Sequence, residues 1–73
     1  MRKYPRYYHV AVTTVCLNQI SRDEFFRFVG RTAVYCFVGW DRSLRAYEYV
    51  NWKTGETYYK KKGDTLIEVG FDF

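Results

Sequence analysis

The sequence predicts an α+β fold, a single small domain in which one short helix packs on an antiparallel sheet of four to five strands in the order β-α-β-β-β-β. Three observations carry that prediction. Apolar and polar residues alternate with period two over several short runs bounded by turn residues. One segment switches to helical spacing behind a capping signal. The turns between the later runs have three or four residues, too few for a parallel crossover, so those strands pair antiparallel.

Residues 7–15 open the domain as a strand, with Tyr8, Val10, Val12 and Thr14 on one face and Tyr7, His9, Ala11 and Thr13 on the other. Residues 17–20 connect. Ser21 as N-cap makes Glu24 the N3 residue of a capping box, and Ile20 with Phe25 fits the accompanying hydrophobic staple. Asp23 and Glu24 then lie where a helix dipole favours acids. Phe25, Phe28 and Val29 fall at i, i+3 and i+4, and Gly30 stands at C′, so a helix is expected over 22–29. Residues 32–40 are apolar on both faces, as in a central strand. Asp41, Arg42 and Ser43 turn the chain into a strand over 44–51. Lys53 to Glu56 form a turn into a strand over 56–60, and Lys61 to Asp64 turn into a last strand over 65–71 with Ile67, Val69 and Phe71 on one face.

The 73 residues include 8 Tyr, 6 Phe and 2 Trp, together 22% of the chain. Such a composition excludes an intrinsically disordered chain, and the scarcity of leucine excludes a coiled coil. Apolar runs are far shorter than the roughly 18 residues of a membrane span. Because a domain of about 60 residues buries only about 60% of its unfolded surface, large rings are a direct way to build a dense core. Phe25, Phe28, Phe37 and Phe71 take core-facing or central positions in this reading.

The net charge is +4, unevenly spread. Arg2, Lys3 and Arg6 make residues 1–6 a basic, flexible N-terminal segment ahead of a domain over 7–73, whereas Asp64, Glu68 and Asp72 make the last strand acidic. That acidic strand can be part of a binding surface or lie beside a basic one within the sheet, where opposite charges stabilise pairing. No apolar core follows the charged start as in a signal peptide, so a cytoplasmic protein without membrane contact is expected.

Catalytic and cofactor chemistry finds few residues. Cys16 and Cys36 stand apart in apolar stretches without a cluster of metal-ligand type, so they are expected as buried thiols, with a disulfide open as the alternative, and no metal or other cofactor is expected. His9 is the sole histidine and sits on an alternating strand. No phosphate loop, nucleophile elbow or zinc-helix motif is present. A chain of this size also has little room for a cleft of about 300 Å³ or more. A non-enzymatic binding protein is the expected class.

Binding chemistry is better supplied. Arg45, Tyr47 and Tyr49 alternate on one strand face, and Trp52 and Tyr58 follow within a short distance, with Tyr59 as an alternate to Tyr58. Trp, Tyr and Arg dominate interface hot spots, so these residues, with Arg2, Lys3 and Arg6, are the candidate partner-binding set. Their alternative role is ordinary cross-strand packing. Rings interleaved with Lys53, Lys60, Lys61 and Lys62 also suit single-stranded RNA or DNA, whose bases stack while cations follow the phosphates. A modest net charge, the dispersed acids and the lack of an RNP1 or GxxG motif weigh against that use.

In size, basic lean, lack of an active site and surplus of tyrosine and arginine, the whole chain resembles the small host-takeover proteins of bacteriophages, in particular the regulators that bind bacterial RNA polymerase. No motif carries individual residues across. The resemblance implies a protein that docks on polymerase subunits and modulates transcription, by blocking initiation or by antitermination. A phage anti-defence inhibitor shares the same character. Nucleic acid could then be met directly or through the polymerase complex, and a monomer is expected.

Overall fold

The structure, a computed structural model, describes residues 12–71. It is a small domain built on a six-stranded antiparallel sheet: β1 (Thr13–Cys16), β2 (Phe25–Phe28), β3 (Tyr35–Asp41), β4 (Ala46–Asn51), β5 (Thr57–Lys60) and β6 (Leu66–Val69). The spatial order is β1-β6-β2-β3-β4-β5. Among the described residues, helical structure is confined to one 3-10 turn, Leu17–Gln19, in which the Gln19 side-chain oxygen accepts from the Cys16 amide at 2.7 Å. Most of the expected first strand lies outside the described residues, and β1 is its end.

The helix expected over 22–29 is instead β2 and its two flanking turns. The local signals that suggested a helix are present, used differently. The Ser21 amide donates to the Glu24 carboxylate at 2.9 Å, which is half of a capping box. Here, however, the Glu24 amide bonds the Ser21 carbonyl at 3.2 Å, closing a turn with Asp23 at φ 72°. At the other end the Arg31 amide bonds the Phe28 carbonyl at 2.9 Å, with Gly30 at φ 80° as a type II turn requires.

Burial decides between the two conformations. An isolated helix this short is marginal in water, and a Phe-rich segment favours a pleated surface. As a helix, the stripe of Phe25, Phe28 and Val29 would leave Phe26 aside. As a strand, Phe26 becomes fully buried while Val29 is left 50% exposed in the following turn. The segment also fills a gap in the sheet: Phe25 and Phe26 pair with Cys36 and Tyr35 of β3, whereas Arg27 and Phe28 pair with Glu68 and Ile67 of β6.

Against the expectation from the short turn over 61–64, β5 and β6 do not pair with each other, because β6 inserts between β1 and β2. Cross-strand partners define an inner face carrying Val15, Phe26, Phe28, Tyr35, Phe37, Tyr47, Tyr49, Tyr58 and Ile67. The sheet curls over this face, bringing the Lys60 ammonium of β5 within 5.4 Å of the Phe28 ring centre on β2. Leu17 and Ile20 pack on the same core, whose fully buried side chains are Phe26, Leu17 and Ile67. Each such side chain stabilises the fold by roughly 1.5–3 kcal/mol. The β5–β6 connection is held to the 3-10 turn by Asn18 N–H to the Gly63 carbonyl and Leu17 N–H to the Thr65 carbonyl, both 2.9 Å.

Strand β3 lies inside the sheet between β2 and β4, but it begins at Tyr35 rather than at residue 32, and it bulges between Phe37 and Gly39. The bulge displaces the Val38 carbonyl, and Arg22 Nε donates to it at 3.2 Å.

Candidate docking surface

The inner face carries a continuous cluster of rings. Tyr35 meets Phe26, Phe28, Tyr49 and Tyr58 at centroid distances of 5.1–6.0 Å, mostly edge-to-face. Tyr58 stacks on Tyr49 at 5.8 Å, directly across the β4–β5 ladder. Such contacts contribute about 0.5–1.5 kcal/mol each beyond burial. Burial, then the neighbouring Tyr35, raises the Tyr49 phenol above its ordinary pKa. Tyr58 is raised chiefly because its hydroxyl donates to Glu56 Oε1 at 2.6 Å.

The outer face is organised by Trp52. Its ring meets Phe25 edge-on at 4.9 Å, and its amide donates to the Val34 carbonyl at 2.9 Å, extending the β3–β4 ladder by one pair. Asn51 shapes the turn that follows: its side-chain oxygen accepts from the Lys53 and Thr54 amides at 2.8 and 3.0 Å. The Gly55 amide returns to the Asn51 carbonyl at 2.8 Å. Between this turn and residues 32–34 lies an open groove of about 770 Å³, with Trp52 and Lys53 on one bank and Ala33 and Val34 on the other. It arises between two surface segments and consumes no core.

The structure divides the candidate binding residues. Arg2, Lys3 and Arg6 lie outside the described residues, as does His9. Tyr47, Tyr49 and Tyr58 share the inner face, but Tyr49 is only 7% exposed and belongs to the core, and Tyr47 packs on Trp40 at 4.7 Å. Tyr58 is 39% exposed at the sheet edge. Arg45 is not on the strand: it occupies the turn before β4 with φ 52°. Trp52 stands on the opposite face, 59% exposed. The single face drawn from alternation is therefore a packed aromatic cluster plus a separate Trp52 site. Phe25 and residues 32–34, which complete the Trp52 site, escape a reading of the sequence because a helix was expected at the first and a strand at the others.

Cys16 and Cys36 are unpaired thiols. They are half-buried rather than fully enclosed, and burial, then Asp23, raises the Cys36 thiol. Among the described residues no three His, Cys, Asp or Glu side chains gather as for a metal ion, and no helix is long and apolar enough to cross a membrane. No family model matches the chain, and neither the curated proteins nor the solved structures contain a significant match to it.

Proposed function

We propose that this is a non-catalytic docking protein that recognises a protein partner through the outer face at Trp52, and that bacterial RNA polymerase is the partner to test first. The observation that supports docking is the exposure of Trp52 beside a groove. A tryptophan left 59% in solvent, its edge fixed by Phe25 and its backbone tied to Val34, is a preorganised anchor of the kind that dominates interface energies. Lys53 beside it favours an acidic rim on the partner. The choice of polymerase rests on the resemblance of the chain to phage regulators.

Tagged protein passed over nuclease-treated bacterial lysate at moderate salt is expected to retain polymerase subunits, and Trp52→Ala to lose them with its circular dichroism unchanged. Retention of nothing from the treated lysate would end this reading. A second reading, single-stranded RNA or DNA binding, draws on exposed Tyr59 and Trp52 together with exposed Lys53, Lys61 and Lys62. It predicts oligonucleotide quenching of tryptophan fluorescence that falls steeply with salt.

A further inference from the structure

Strand β5 (Thr57–Lys60) forms one edge of the sheet: it pairs with β4, and among the described residues no strand pairs with its other side. The ladder determines which of its backbone groups face outward. The Asn51 amide donates to the Glu56 carbonyl at 2.8 Å, and those two residues continue the register of Tyr49 with Tyr58 and Tyr47 with Lys60. Hydrogen-bonded and non-hydrogen-bonded pairs alternate along an antiparallel ladder. Tyr58 and Lys60 therefore turn their amides and carbonyls to β4, as Glu56 does its carbonyl while its amide donates to Thr54 Oγ1 at 3.2 Å, and Thr57 and Tyr59 turn theirs away from the sheet.

We propose that β5 pairs with β5 of a second copy of this chain, antiparallel about a two-fold axis at Tyr58, so that two sheets become one. A two-fold axis normal to the sheet keeps each face on its own side only when opposed residues share a face. With Tyr58 on the axis, Thr57 opposes Tyr59 of the second copy, and the outward groups of both residues meet in four hydrogen bonds. Glu56 then opposes Lys60 of the second copy, twice by symmetry, and opposite charges directly across a ladder stabilise it. Shifting the axis to Thr57 removes both ion pairs. Shifting it to Tyr59 places Glu56 against Lys62, two residues past the end of the strand, whereas Glu56 directly precedes the strand and stays in the ladder through the Asn51 amide. The two Tyr58 rings, each 39% exposed and stacked on its own Tyr49, would come together on the inner face and join the two aromatic clusters. The lysines after β5 deter extended stacking of edges, and in this register Lys60 has an acidic partner.

A pairing four residues long buries less than the roughly 1,200 Å² of a stable complex, so the dimer is a weak one, with Kd on the order of 0.1–1 mM. Sedimentation equilibrium of the full chain between about 10 μM and about 1 mM is expected to show the apparent mass rising from 8.9 kDa towards twice that. Tyr59→Pro removes one outward amide and leaves the β4 ladder intact, as proline is tolerated at a solvent-facing edge position. It is expected to stay monomeric with an unchanged circular dichroism spectrum. Glu56→Lys is expected to abolish the dimer, and adding Lys60→Glu to restore it. In a background lacking Cys16 and Cys36, Tyr58→Cys is expected to cross-link on oxidation and Tyr59→Cys to do so far less. A monomer throughout the range, a dimer indifferent to Tyr59→Pro and to the charge change, or preferential cross-linking at position 59 would each overturn the proposal.

Discussion

Gly63 lies against the ring of Tyr47 so closely that a Cβ at Gly63 would stand 2.8 Å from Tyr47 Cε2 and 3.0 Å from Asn18 Cβ. The contact joins the β5–β6 connection to an inner-face ring and to the 3-10 turn. No positive φ is involved; space alone requires glycine here. Gly63→Ala is expected to destabilise the fold by about 1–3 kcal/mol, the usual cost of forcing volume into a packed site. Thermal unfolding of the variant measures it. In a Tyr47→Ala background the penalty should shrink, because the closest obstacle is gone; an undiminished penalty would argue against this contact.

Across β2 and β6, Arg27 Nε meets Glu68 Oε1 at 2.7 Å, and the guanidinium lies 4.5 Å from the Phe71 ring centre. Both charged side chains are partly exposed, so solvent screens the pair. A double-mutant cycle with Arg27→Met and Glu68→Gln should give a coupling of about 0.5–1 kcal/mol that declines with added salt. Arg27→Met alone should cost less than Arg27→Ala, which also removes the stem packed near Phe71.

Stability is expected to fall at alkaline pH through two tyrosines. Tyr49 and Tyr58 both have folded-state pKa values raised above the ordinary phenol value of 10.0. A raised acid means that the folded state keeps its proton where the unfolded state has lost it. The associated stability is complete below the unfolded pKa and declines as pH rises through the folded one. Denaturation midpoints should therefore drop above about pH 10, and the drop should lessen in Tyr49→Phe. Phenolate absorbance should show a late-titrating class that disappears on unfolding.

Asp23 holds φ 72° where the chain enters β2; its amide bonds the Phe37 carbonyl at 2.8 Å, and the Phe37 amide returns to the Glu24 carbonyl at 2.9 Å. Two residues thus face one, as in a bulge whose first residue is commonly glycine. Asp tolerates this left-handed conformation far better than a β-branched residue. Asp23→Val is expected to cost about 1–2 kcal/mol and Asp23→Gly to lie near neutral, both read by urea denaturation.

The antiparallel pairing of β3, β4 and β5 is legible in the sequence because short turns and period-two alternation are local properties. So is the turn over 53–56, in which Gly55 takes φ 80°. The interior of residues 22–29 is not legible in this way. Ser21, Glu24 and Gly30 mark the ends of a helix and of a turn-flanked strand equally well, and the choice belongs to Phe26, whose burial depends on strands far away in the chain.

By itself the sequence determined a small domain built on an antiparallel sheet with aromatic residues in its core, but it pointed to an α+β domain, with a helix where the structure has β2. Tertiary structure decided three further things: that β6 returns between β1 and β2, that β2 completes the sheet as a strand, and that the face of Tyr49 is the buried one while Trp52 stays exposed. The reason is common to all three. Alternation assigns residues to two faces but not which face closes on itself, and that depends on where the non-local strand β6 pairs and how far the sheet curls.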